Sequence, residues 1–150
     1  MKIHTVILAA GEGSRMLSNK AKSLQPLGGH SMLQRIYTTV KDISSETTFV
    51  VGYEKDAIIA ETKSFDGTIH IAEQKKAIGT SDAVKSALPS ITKPCNVLVL
   101  YGDVPLIKQD TLEKLITETK DGLTILSTII AARMDMEGLK KITKDMLKQL

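Results

Sequence analysis

Gly11, Gly13, Arg15 and Lys22 stand close together, directly after the apolar run Val6-Ile7-Leu8 and the small pair Ala9-Ala10. Residues of these types can hold a phosphate. Glycine and alanine let backbone N–H groups come close to phosphate oxygens. Arginine and lysine supply the countercharge that a transferring phosphoryl group needs. Neither familiar phosphate fingerprint is complete: Met16 stands where the dinucleotide motif has its third glycine, and the G-x-x-x-x-G-K-[ST] motif is absent. The same residues also fit a solvated basic loop. A second chemical element lies at Asp103, one residue after Gly102, at the tip of the run Val97-Leu98-Val99-Leu100-Tyr101. A lone carboxylate there suits Mg²⁺, which takes one or two protein carboxylates and leaves the remaining positions to phosphate and water. It also fits a turn aspartate or a helix cap. With Arg15 and Lys22 the metal reading gains, because a phosphate site needs both signs.

The elements that would carry these residues alternate. Ile3 to Leu8 reads as a buried strand ended by Ala-Ala-Gly, and Ser31 heads a segment with Met32, Leu33, Ile36, Tyr37 and Val40 at helical spacing. Thr47 to Gly52 reads as a strand, Lys55 to Lys63 as a helix and Thr68 to Ile71 as a strand. Thr80 to Leu88 reads as a helix closed by Pro89, Asn96 to Leu100 as a strand, and Thr111 to Thr119 as a helix. Leu123 to Ala131 is β-branched and predicts a fifth strand. From Asp135 onward, Leu139, Ile142, Met146 and Leu150 form an apolar stripe in a lysine-rich helical tail. Strands alternating with helices predict an α/β fold, a doubly wound, mostly parallel Rossmann-like sheet with helices on both faces. Ligands bind such sheets beyond the carboxyl ends of the strands. Gly11 to Lys22, Gln74 to Thr80, and Gly102-Asp103 are predicted to meet there. The loop that begins at Gly11 runs about fifteen residues without an obvious helix, and loops of that length in compact domains are usually functional or disordered.

Composition narrows the alternatives. The 150 residues carry a net charge of +3, too mild to argue for nucleic acid, and two Phe, three Tyr and no Trp argue against a base-stacking surface. The single cysteine, Cys95, excludes an intramolecular disulfide and reads as a buried, inert thiol. No apolar run approaches the roughly 18 residues of a membrane span. The N-terminus leads into a strand and lacks a signal-peptide pattern. The expectation is a cytoplasmic chain without a membrane partner, its 150 residues forming one domain with a divergent tail at 132–150.

The chain resembles the sugar-nucleotide pyrophosphorylases, and most of all the uridylyltransferase domain of the bacterial N-acetylglucosamine-1-phosphate uridylyltransferases. The resemblance rests on Leu8-Ala9-Ala10-Gly11-Glu12-Gly13-Ser14-Arg15-Met16, Lys22-Ser23-Leu24, Gln74 with Ile78-Gly79-Thr80, and Leu100-Tyr101-Gly102-Asp103-Val104-Pro105-Leu106-Ile107. It covers roughly residues 3 to 126. It implies nucleotide contact by Leu8, Ala9, Ala10, Gly11, Gly13, Tyr101 and Gly102. It implies phosphate holding by Arg15 and Lys22 as the catalytic cations, uracil reading by Gln74 and Gly79 with Thr80 nearby, and Mg²⁺ on Asp103. The reaction implied is attack of a sugar-1-phosphate oxygen on the α-phosphorus of UTP, with pyrophosphate leaving. The departures are Lys76 and Ala77 where the family has an acid and a second glutamine, and Ser81-Asp82 where it has a small residue and a histidine. The family's Gly-Tyr-Gly-Arg segment, expected after the strand ending near Ala131, has no counterpart in Ala132 to Gly138, and the resemblance leaves the family's sugar-holding half unmatched. A chain without that half is expected to be a weak uridylyltransferase, to be completed by another chain, or to pair as a homodimer through its tail. Two other readings fit the same motifs: a nonenzymatic nucleotide-binding module, and nucleotidyl transfer with another base or acceptor, such as molybdopterin guanylyl transfer.

Overall fold

The computed structural model describes residues 2–12, 20–76, 78–120 and 122–127. The chain divides into two compact units, Met1–Glu113 and Lys114–Leu150. The first holds the sheet. Its elements are β1 (Ile3–Leu8), a 3₁₀ turn (Lys22–Leu24), β2 (Pro26–Leu27), β3 (His30–Ser31), α1 (Met32–Val40), β4 (Glu46–Val51), α2 (Lys55–Thr62), β5 (Ile69–Glu73), α3 (Thr80–Ala87), a second 3₁₀ turn (Leu88–Ser90) and β6 (Asn96–Tyr101). The helix α4 (Gln109–Glu118) runs across the boundary between the units.

Among the described residues four strands form one parallel sheet in the order β5-β4-β1-β6. The chain winds outward from β1 through β4 to β5, then returns to place β6 on the other side of β1. The order therefore reverses between β1 and β6. Such a switch point opens a crevice at the carboxyl edge, because the two connections leave in opposite directions.

Alternation along the strands gives each face its own helix. On one face Val6, Val50, Ala72, Ala83 and Ala87 form a buried cluster with Ala10, which seats α3. Phe49, one residue from Val50, points to the opposite face. There its ring lies 5.9 Å from Tyr37 of α1 and 5.8 Å from Phe65, and Tyr37 stacks on Phe65 at 4.6 Å. Helix α1 begins as its sequence predicts: the Gln34 N–H donates to Ser31 Oγ at 2.9 Å, satisfying one of the first-turn donors. Polar residues continue the α3 face toward the amino edge. His4 Nε2 and Thr48 Oγ1 are 2.7 Å apart, and Thr48 Oγ1 lies 2.6 Å from Ser90 Oγ. Burial pushes the His4 pKa down, against the opposing pull of Glu46.

Several expectations change. The long loop is not featureless: it contains the Lys22–Leu24 turn, and between it and α1 stands a β2–β3 hairpin, which no expectation covered and whose Gly28 and Gly29 both have positive φ, +58° and +84°. Residues 123–127 form no strand, and Leu123, Ile125 and Leu126 are exposed; β-branched composition alone supplies no pairing partner. The expected strand's last residues and the tail at 132–150, with the homodimer built on it, lie outside the described residues. Cys95 is partly exposed rather than buried, since it precedes β6 instead of lying in it. One face of β6 is open: Val97, Val99 and Tyr101 are exposed, and among the described residues β6 pairs only with β1. Among those residues no helix is long and apolar enough to cross a membrane.

Candidate functional site

The carboxyl ends of the four strands lie side by side. Leu8 is in register with Val50 and Tyr101, and Val51 with Glu73. Backbone hydrogen bonds extend this edge past the strands. The Ala9 N–H donates to Val50 O at 2.8 Å, Tyr53 N–H to Ala10 O at 3.3 Å, Gln74 N–H to Val51 O at 2.8 Å, and Gly102 N–H to Leu8 O at 2.8 Å. All three expected segments therefore leave the sheet from the same edge. Ala9 and Ala10 are buried, and Gly11 is exposed with open space where a side chain would stand. Gly13 and Arg15 lie outside the described residues.

Opposite charges meet at the switch point. Lys22 Nζ lies 2.5 Å from Asp103 Oδ2, with both side chains partly exposed. The two residues are 81 positions apart in sequence. Lys22 is held from behind, where the N–H of the adjacent Ala21 donates to a Glu54 carboxylate oxygen. Glu54 is the one non-glycine residue with positive φ among the described residues (φ 50°), a conformation that costs energy and gathers at functional edges. Nothing in the local sequence marks Glu54, because its role depends on a partner in another loop.

Asp103 follows Gly102, and Gly102 has no room for a side chain. A Cβ there would stand 2.8 Å from the Leu8 carbonyl oxygen, inside van der Waals contact with backbone. Gly102→Ala must therefore push β6 away from β1. The expected cost is about 1–3 kcal/mol, in the range of overpacking, together with a displaced Asp103. Thermal melting and nucleotide titration of the variant check this; parental values in both would mean that this edge has slack.

The third segment is built around Gln74. Its side chain is buried, and Nε2 donates to Gly79 O at 3.1 Å and to Asp82 Oδ2 at 3.0 Å. Gly79 caps α3 with φ +123°, which explains a glycine there. Thr80 opens the helix and is exposed. Ala83, one turn along, packs in the cluster that contains Ala10, so the start of α3 belongs to the same edge. Tyr101 ends β6 with its side chain exposed.

The residues present fit a hard divalent cation. Asp103 offers a single accessible carboxylate, and the Lys22 ammonium already stands against it as a cation. Among the described residues no group of three or more His, Cys, Asp or Glu side chains gathers as a metal cage. Mg²⁺ bound through one carboxylate and substrate phosphates needs no such cage.

A parallel doubly wound sheet, with small residues, a lysine and a carboxylate at its switch point, defines a nucleotide-handling α/β domain. Residues 5–136 match the MobA-like NTP transferase domain, and the chain belongs to that family. The bifunctional protein GlmU of Francisella philomiragia is 41% identical over 146 residues, which is 97% of this chain and 31% of that protein. The chain thus spans about a third of the length of the curated relatives it matches. Solved structures agree in fold. UDP-glucose pyrophosphorylase of Acinetobacter baumanii superposes with a TM-score of 0.69 at 18% identity, covering 79% of this chain and 53% of that one. Rv0371c of Mycobacterium tuberculosis, in complex with manganese, superposes with a TM-score of 0.61 at 19% identity, covering 78% and 59%.

Proposed function

We propose that this chain is the nucleotide-binding part of a Mg²⁺-dependent uridylyltransferase. It would bind UTP and direct uridylyl transfer to a sugar-1-phosphate, with N-acetylglucosamine-1-phosphate as the acceptor. The observation that carries the reading is the Lys22–Asp103 pair at the switch point, beside the Ala9–Gly11 backbone. The relatedness to GlmU proteins supports the choice of base and sugar. In the reaction, a sugar-phosphate oxygen bonds to the α-phosphorus of UTP while the α–β bridging bond breaks and pyrophosphate leaves. No covalent enzyme intermediate is required. Lys22, with Arg15, holds the triphosphate and balances charge that builds on its oxygens. Backbone at Leu8 to Gly11, and at Gly13, admits the phosphates, with Tyr101 and Gly102 bordering the nucleotide. Gln74 and Gly79, with Thr80 beside them, face the base. Asp103 would hold Mg²⁺, which when bound supplies charge neutralisation and orientation for the phosphates. The reading places the chain in the cytoplasm, as its triphosphate substrate requires.

Calorimetric titration with UTP, CTP, GTP and ATP in Mg²⁺ tests this, on the parent and on Lys22→Ala. UTP is expected to bind tightest. Lys22→Ala is expected to weaken UTP about tenfold or more, the scale of one charge-assisted contact, and to keep the parental melting transition. Equal affinity for all four nucleotides, or a preference for a purine, would refute the uracil assignment. Loss of cooperative melting in the variant would make Lys22 a structural residue.

A further inference from the structure

We propose that Asp82 is a specificity-determining positioning residue, which fixes the side-chain amide of Gln74 so that it offers the base a hydrogen-bond acceptor and no donor. The proposal rests on the reading above that Gln74 faces the base. Gln74 Nε2 has two hydrogens. One goes to the Gly79 carbonyl oxygen at 3.1 Å and the other to Asp82 Oδ2 at 3.0 Å. Both partners are acceptors only. Turning the amide over would set its carbonyl oxygen about 3 Å from a carboxylate oxygen and a backbone carbonyl oxygen, a contact of three lone-pair bearers with no proton between them. Neither amide hydrogen is left to donate elsewhere. The only unspent capacity of Gln74 is Oε1.

An amide fixed in this way selects a base by what its ring edge presents. The uracil ring carries a donor at N3–H, which matches Oε1. Cytosine carries a lone pair at the same ring nitrogen, which repels it. A free glutamine discriminates poorly, because rotation about its last torsion exchanges donor for acceptor. Asp82 removes that freedom. Gly79 alone cannot do so, since a single carbonyl leaves the second amide hydrogen open. Asp82 is well placed for the task, in the first turn of α3, where its charge is also favoured by the helix N-terminus. That second effect predicts a change in stability alone, so the two roles separate by experiment.

The test uses the full chain with UTP and CTP in Mg²⁺, comparing the ratio of their affinities in the parent, Asp82→Ala, Asp82→Asn and Gln74→Ala. The parent is expected to favour UTP. Asp82→Ala is expected to reduce the UTP:CTP ratio about tenfold, the worth of one hydrogen bond to a charged group. Asp82→Asn keeps the shape but can itself donate to a turned Gln74 amide, so that only the Gly79 carbonyl still opposes the turn, and is expected to fall between the two. It also serves as the folded comparison should the alanine variant melt early. Nuclear magnetic resonance of the Gln74 side-chain amide gives a reading without ligand: two slowly exchanging protons in the parent, and faster exchange in both Asp82 variants. An unchanged ratio in both Asp82 variants, or equal loss of UTP and CTP affinity, overturns the proposal and leaves Asp82 an acid that serves the first turn of α3. An unchanged ratio in Gln74→Ala overturns the placement of Gln74 at the base, and the proposal with it. A ratio that changes in Gln74→Ala but in neither Asp82 variant overturns the proposal alone.

Discussion

Asp103→Asn is expected to abolish the Mg²⁺ dependence of nucleotide binding while leaving the domain folded. Asparagine preserves the volume and one oxygen of the side chain but removes the charge that a hard cation requires. The affinity for UTP in Mg²⁺ should fall about 100-fold, since metal neutralisation of a polyphosphate is worth several kcal/mol. Stability should change little, because Asp103 is exposed and its ion pair with Lys22 lies at the surface, where such pairs contribute about 0–1 kcal/mol. Titrations with and without Mg²⁺ decide it: in the parent the two differ, and in the variant they coincide. An identical Mg²⁺ response in parent and variant would move the metal to another ligand. A control sharpens the result. In Lys22→Ala the carboxylate keeps its charge and loses its cation, so the Mg²⁺ response should persist there even though the overall affinity falls.

Phe49→Ala is expected to have the largest effect on stability. The side chain is fully buried, and its ring bridges Tyr37 of α1 and Phe65 after α2. Truncation removes the transfer free energy of the ring and leaves a cavity that Tyr37 and Phe65, already stacked on each other, can fill only in part. The cost should be about 3–5 kcal/mol, a large share of the roughly 5–15 kcal/mol that keeps a domain folded. Denaturant unfolding measures it directly. Phe49→Leu, which refills most of the space, should recover much of the loss. A decrease below about 1 kcal/mol for the alanine variant, well under the usual cavity cost, would show that α1 is held to the sheet by other contacts.

The α/β alternation was legible because its signals are local. Strand β1 is an apolar run and β4 a run rich in β-branched residues, each closed by small residues, Ser31 caps α1 through its own side chain, and Pro89 follows the end of α3. The meeting of Ala9–Gly11, Gln74 and Gly102 at one edge followed from parallel strands alone. What escaped depends on partners. The β2–β3 hairpin has strands of two residues, too short for any period, although the Gly28-Gly29 pair carries the turn signal that could have found it. The run from Leu123 has strand composition, but a ladder needs a neighbour. Lys22 and Asp103 were recognisable by type; that they touch is a property of β1 and β6 standing side by side. Glu54 and Asp82 act through hydrogen bonds to Ala21 and Gln74 that no spacing announces.

The position of β1 between β4 and β6 also bears on the order in which the molecule assembles. Pairing of β1 with β4 closes a much shorter stretch of chain than pairing of β1 with β6, where Ile3 meets Asn96. Closing the longer loop costs more entropy and has to wait for nearly the whole sheet-forming sequence. A chain still emerging from the ribosome can therefore bring β1, β4 and β5 together and bury Phe49 before Asp103 has emerged. The crevice between β1 and β6 comes into being only when β6 joins the sheet. A ligand spanning it would act as a clasp on that final step, slowing the detachment of β6 more than the opening of any other element.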